Sequence, residues 1–323
     1  MKIAIRFLAV IAVIQVALIA FTWSGKTDLK SHSGSSTLLT FSQTDVDAIL
    51  IEDKENKILI TKKDDKWLLP DGFPADGNKV KNLLEKLAGL QYGLPVATSK
   101  QSLSRFRVAE NEFSRHLQLK SGEKILAELY LGTGAGARQS HLRSGNQDSV
   151  YTAAIGSYDL PFKYDEWQDK KILQFKAAEV SSLELGDIKL DRETGAAEKE
   201  PPSPWQSKSL PPDTVINQHE INQGMEKLAN LQFSKTLKQE EVENCDLSKP
   251  ALTIKIRYAD NERTYLFAEI NDSEDICLKV SDKTEYFQLA SYLAKPILEH
   301  FSEEKILTTN TSTADSETVK KEE

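Results

Sequence analysis

Apolar and polar residues alternate along this chain in two rhythms, and each rhythm occurs twice. A period of two runs through Ala48-Ile49-Leu50-Ile51 and again through Lys57-Ile58-Leu59-Ile60, on either side of the polar turn Asp53-Lys54-Glu55-Asn56. Short β-rich runs around a polar turn predict a hairpin. Lys66-Trp67-Leu68-Leu69 predicts a third strand, and Pro70 and Pro74 close the sheet edge behind it. Over residues 78–91 the spacing changes to three and four, with Val80, Leu83, Leu84, Leu87 and Leu90 on one stripe of a helix. Alternation then returns at His116-Leu117-Gln118-Leu119-Lys120, which turns at Ser121-Gly122 into residues 124–131. A short strand at Val150-Tyr151-Thr152-Ala153 and a helical segment close the series.

The same order is read a second time. Val180, Leu183, Leu185, Ile188 and Leu190 repeat the opening hairpin, and Ile221, Met225, Leu228 and Leu231 repeat the helix stripe. Residues 252–258 turn at Asp260-Asn261 into residues 264–270, and Tyr286-Phe287-Gln288 precedes a closing helix. Glu85-Lys86-Leu87-Ala88-Gly89-Leu90-Gln91-Tyr92 returns as Glu226-Lys227-Leu228-Ala229-Asn230-Leu231-Gln232-Phe233, and Lys66-Trp67 as Pro204-Trp205. A tandem duplication with a period of about 135 residues is the simplest account. Strands joined by short turns are antiparallel, and no strand-helix-strand alternation of the parallel type occurs. The expected fold is therefore α+β: two tandem similar domains, each a mainly antiparallel sheet with one or two packed helices, at residues 45–176 and 177–307.

The first 24 residues differ from the rest. Lys2 and Arg6 precede an apolar run over residues 7–23 broken only by Gln15 and Thr22, enough for roughly 25 Å of helix. A cleaved signal peptide and a retained signal anchor are the two readings. Leu18-Ile19-Ala20 puts a bulky residue where a cleavage site wants a small one, which favours the anchor. Basic residues on the short side keep that end in the cytoplasm and export the body. Residues 25–44 read as a flexible tether, a Pro-rich excursion over residues 192–204 as an exposed loop, and residues 308–323 as a disordered tail.

Composition narrows function mainly by exclusion. Of 323 residues, 39% are hydrophobic and 28% charged, which excludes disorder throughout, and a net charge of -8 without a basic cluster disfavours nucleic acid. The two cysteines, Cys245 and Cys277, lie in the second repeat and are either free thiols or a disulfide closing a loop of about 30 residues. The glycine run at Gly132, Gly134 and Gly136 follows a strand, but a phosphate cradle needs a helix N-terminus behind it and the next residues read as a strand. It is better read as a hairpin loop, with Gly134 and Gly136 as a ligand loop in the alternative.

His32, His116, His141, His219 and His300 have no metal-ligand spacing, so neither a metal nor a cofactor is expected. Asp64-Asp65, Asp165-Glu166 and Glu240-Glu241 are acidic pairs that the sister copy does not repeat. Trp67, Trp167 and Trp205 either anchor small cores or, for Trp167, line a groove. No catalytic constellation emerges, and a non-enzymatic protein is expected.

The order Ile58-x-Ile60, Lys66-Trp67, Pro74-Ala75-Asp76, Leu87-x-x-Leu90, Leu131-Gly132, Val150-Tyr151 and Trp167-Gln168-Asp169-Lys170-x-x-Leu173 resembles the bacterial domain of unknown function 4340 family over residues 45–305. The chain departs from it in carrying Gln168 where Arg is more usual. Members are often encoded beside ABC-type or gliding-related transporters, so the resemblance implies a single-pass accessory protein of the bacterial inner membrane. Its N-terminus would be cytoplasmic, its body periplasmic, and its partner a membrane transport complex. A module binding envelope glycan or peptide, using a crevice between the repeats near Trp167, is the alternative, and an envelope hydrolase a third.

Overall fold

The computed structural model of the protein describes residue 15 and residues 36–194, 202–211, 213–258 and 261–309. The expected anchor, apart from Gln15, lies outside the described residues, as do 25–35 of the tether, 195–201 of the Pro-rich loop and 310–323 of the tail. Among the described residues no helix is long and apolar enough to cross a membrane. The fold is α+β with antiparallel sheets and few helices. It divides into two compact units, one comprising the chain through Asp71 with Asn78–Lys163, the other Gly72–Gly77 with the chain from Tyr164.

The first unit contains strands β1 (Ser36–Thr37), β2 (Ala48–Glu52), β3 (Lys57–Lys63) and β4 (Lys66–Leu68), then helix α1 (Gly77–Ala88) and β5 (Gln91–Tyr92). Helix α2 (Lys100–Phe106) and the ribbon β6 (Val108–Ala109) and β7 (Glu112–Phe113) follow, then β8 (Arg115–Ser121), β9 (Lys124–Gly134), β10 (Ser140–Ser144) and β11 (Tyr151–Ala153). Seven of these strands form one sheet in the order β11-β10-β9-β8-β2-β3-β4. Period-two alternation and the register put Ile49, Ile51, Ile58, Ile60, Leu117, Leu119, Leu129 and Leu131 on one face, all buried. The α1 stripe of Val80, Leu83, Leu84 and Leu87 is buried as its spacing requires.

The second unit contains β12 (Val180–Leu185), β13 (Ile188–Asp191), β14 (Thr214–Ile216), α3 (Gln218–Ala229), β15 (Lys235–Thr236) and α4 (Gln239–Val242). It continues through β16 (Leu252–Tyr258), β17 (Asn261–Glu269), β18 (Ile276–Val280), β19 (Tyr286–Leu289), α5 (Ser291–His300), α6 (Glu303–Ile306) and β20 (Leu307–Thr309). Its sheet order is β13-β12-β16-β17-β18-β19-β15. In both sheets an opening hairpin is followed, beyond a helix, by a four-stranded meander whose first strand pairs with the first strand of the hairpin. Asn217 caps α3, its side chain accepting from Glu220 N, and Gly224 brings the helix against Phe301, where an added Cβ would lie 2.9 Å from the ring.

Several expectations shift. Residues 36–44 belong to the fold: β1 pairs with β5, and Leu38 and Leu39 are buried. Thr308 and Thr309 extend β20, which pairs with β14. The first repeat has short 3-10 turns at Ser157–Asp159 and Tyr164–Glu166 where a closing helix was expected, because Gly156 and Pro161 interrupt a helical run. The chain divides at Lys163/Tyr164 rather than at 176/177, since Ala75 bridges Gln168 and Asp76 N donates to Trp167 O at 2.8 Å within the second unit. The α2 helix and the β6-β7 ribbon carry no strong periodicity and were not foreseen.

Candidate functional site

The face of the first sheet opposite the apolar one carries its chemistry. Register places Lys57, Glu52, His116, Tyr130 and Arg143 in one cross-strand row, with Leu50, Gln118 and Glu128 in the next. Neighbours on one face of adjacent strands stand within side-chain reach of each other, so the row becomes a network. His116 Nδ1 lies 2.8 Å from Glu52 Oε1, and His116 Nε2 lies 2.8 Å from Glu128 Oε1. Gln118 Nε2 donates to the same Glu128 oxygen at 2.9 Å and the Tyr130 hydroxyl at 3.3 Å. The imidazole stacks on Tyr130 with centroids 4.4 Å apart and planes 11° from parallel, and the Arg143 guanidinium covers the same Tyr130 ring at 4.3 Å.

The segment between α1 and β8 covers this row. Val108, Tyr130 and Val150 form a second small core against Ala97, Leu103, Phe106 and Phe113. Arg107 takes a left-handed conformation with φ 56° at the end of α2, and the chain there packs on Gly132, whose added Cβ would fall 1.9 Å from Phe106 O. Arg143, 3% exposed, donates Nε to Val108 O at 2.8 Å and an Nη to the carbonyls of Ser144, Gly145 and Gln147. The cover thus encloses a buried polar cluster whose donors are met by named acceptors.

An ionised carboxylate only accepts, so both ring nitrogens of His116 must carry protons for both bonds to be made. Burial pushes the Glu128 carboxyl up, but the hydrogen bonds from Gln118 and His116, the His116 charge and the Tyr130 hydroxyl outweigh it and hold Glu128 below the ordinary glutamate value. Burial and the adjacent Glu128 charge push the Tyr130 phenol up to about 12, which keeps it a donor. Each ring nitrogen is turned to a carboxylate, so the imidazole offers no lone pair to a metal. Among the described residues no three His, Cys, Asp or Glu side chains converge as a metal site.

Beside this cluster lies a cleft of about 510 Å³ lined by residues 37–40, Tyr92, residues 125–128 and residues 144–147. Glu128 belongs to both, and Gly145 is the reason: an added Cβ there would lie 2.0 Å from Glu128 Oε2. In the second sheet, matching the last buried residue before each opening turn, Ile51 with Leu185, pairs Leu117 with Ile254 and Leu129 with Tyr265. Thr253 then stands at the His116 position, Thr264 at Glu128, Leu266 at Tyr130 and Lys279 at Arg143. The network is a property of the first unit alone.

The second unit has its own buried cation. Arg263, at the position of Ala127, donates to Asp282 Oδ2 at 2.7 Å, to Tyr265 Oη at 3.2 Å and to Leu173 O at 3.3 Å, while its buried Nε has no partner among the described residues. Arg192 lies over Trp205 at 4.2 Å and donates to Val180 O, and burial brings its guanidinium down to about 10 against the pull of Glu226. A cleft of about 410 Å³ adjoins it, with Gln218, Asn222 and Glu226 among its walls.

Other residues singled out in the sequence fall as follows. Cys245 and Cys277 form a disulfide with Cα atoms 5.9 Å apart, tying β18 to the loop after α4. Trp167 is fully buried in the second unit and presents no surface to a ligand, and Trp205 is 2% exposed with its indole N donating to Asn222. Gly134 and Gly136 sit at the β9-β10 hairpin, closed by Ala135 N to Gln139 O, and Gly136 has φ 117°. Asp64 and Asp65, with φ 48° and 59°, are the turn residues of the β3-β4 hairpin. His141 contacts Thr133 and His300 pairs with Glu220 at 2.8 Å. The Glu52, His116 and Glu128 constellation was not read from the sequence; polar residues at alternate positions of strands whose other face is apolar were the available signal.

A family model described as Domain of unknown function (DUF4340) matches residues 67–250. No curated protein and no solved structure matches the chain.

Proposed function

The chain belongs to the DUF4340 family, and from that premise we propose that it is a membrane-anchored, non-enzymatic accessory protein working outside the cytoplasm as part of a membrane transport complex. The observation that carries the reading is the Cys245–Cys277 bond, since disulfides persist in oxidising compartments and are rare in the cytosol. The apolar stretch at residues 7–23 with Lys2 and Arg6 ahead of it supports a retained anchor with a cytoplasmic N-terminus. Two sheets that share the order of six of their seven strands support a pair of related domains, the second serving as scaffold and the first bearing the specialised face. The ABC-type or gliding-related partner rests on the family resemblance.

Cells lysed into a thiol-alkylating reagent without reductant test the location: unmodified Cys245 and Cys277 in the membrane fraction are expected, and alkylation of both would exclude export. Purification in mild detergent tests the role. Stoichiometric recovery of transporter subunits is expected; recovery of the protein alone at full yield would overturn it.

A further inference from the structure

We infer that the cleft beside Glu128 is a binding site for a neutral saccharide. The inference goes beyond the accessory role, which does not require it. Glu128 Oε1 already accepts from His116, Gln118 and Tyr130, whereas no hydrogen bond among the described residues engages Oε2. Three donors on one oxygen fix the carboxylate, and the missing side chain at Gly145 lets the other oxygen approach the cleft wall. The cleft therefore holds one pre-positioned acceptor.

Its donors lie on the neighbouring turn. Asn146 Oδ1 accepts from Ser144 Oγ at 2.8 Å and Gln147 Oε1 from Tyr151 Oη at 3.2 Å, which leaves the two amide nitrogens for a ligand. Arg143 pins this turn by donating to the carbonyls of Gly145 and Gln147. Thr37 and Thr40 add hydroxyls, and Tyr92, whose ring packs on Tyr151 at 4.3 Å, contributes an aromatic wall near the buried Leu38 and Leu39. Charge decides between ligand classes. Glu52 and Glu128 each already face His116, and the Arg143 guanidinium lies over the adjacent Tyr130 ring, so the unengaged oxygen asks for hydrogen-bond donors rather than for a further positive charge. Adjacent sugar hydroxyls donate and accept, and their C–H faces suit an aromatic wall. About 510 Å³ lies within the roughly 300–1,000 Å³ of small-molecule sites.

The test is saturation-transfer NMR on the full chain in a detergent without a sugar headgroup, with maltotriose and N,N′,N″-triacetylchitotriose as probes. One of them should bind with a dissociation constant of about 1 mM or tighter, a free energy near −4 kcal/mol. In Glu128→Gln the three internal donors keep the amide oxygen inward and turn its nitrogen to the cleft, so affinity should fall at least tenfold. Asn146→Ala, on an exposed turn, removes one donor and should weaken binding at least threefold even if the first variant fails to fold. No transfer with either probe at tenfold higher concentration would overturn the proposal, as would an affinity unchanged in Asn146→Ala.

Discussion

Glu128 and Gly145 stand so close across the sheet that a methyl group on Gly145 would fall 2.0 Å from Glu128 Oε2 and 2.8 Å from its Cβ. Moving the carboxylate alone does not relieve the second contact. Gly145→Ala is therefore expected to lower stability by about 1–3 kcal/mol, the usual cost of overpacking, and to break the Glu128 bonds to His116 and Gln118. Urea unfolding of the two proteins checks it, and equal midpoints would mean that the strand pair relaxes freely.

Acid should loosen the first unit through Glu128. Its carboxyl is held below the ordinary value of 4.5, so its contribution to stability is fully present above that value and is lost as pH falls through the lower folded value. Protonation removes the negative charge that strengthens the bonds Glu128 accepts from His116, Gln118 and Tyr130. Unfolding free energies measured across this window should fall more steeply for the wild type than for Glu128→Gln. Parallel curves would remove Glu128 from the acid response.

The Cys245–Cys277 bond closes a separation of 32 residues around β16 and β17. On the chain-entropy model a loop of that length contributes about 3.7 kcal/mol. Cys245→Ser with Cys277→Ala should lower the thermal midpoint of the second unit and leave that of the first unchanged, read by calorimetry. A shift of both transitions together would contradict the independence of the two cores.

Arg263 occupies the core position that Ala127 holds in the other sheet, and it anchors the Leu173 carbonyl. Arg263→Met keeps the volume and abolishes the unmatched Nε, so the expected change in stability is within about 1.5 kcal/mol, whereas Arg263→Ala should cost about 2–5 kcal/mol through the cavity it leaves. Amide exchange around Leu173 should accelerate in both variants; unchanged exchange would remove the anchoring role.

What the sequence determined by itself was local and repetitive. The three-and-four spacing of Val80, Leu83, Leu84 and Leu87 and the alternation through Ile49, Ile51, Leu117 and Leu119 state the helix stripe and the core face directly, because period and burial are properties of neighbouring positions. The duplication was legible for the same reason, being a comparison of one string with itself. Tertiary structure alone decided the polar face. Glu52 and His116 are 64 residues apart, and only the pairing of β2 with β8, which follows from burying the apolar face, sets them 2.8 Å apart with Glu128 on the other side. The cover from α2 and the β6-β7 ribbon escaped because packing on Gly132 and a left-handed Arg107 hold it in place rather than any periodicity of its own. Trp167 was legible as a large aromatic, yet its environment was set by a segment from before α1, which no local pattern around residue 167 encodes.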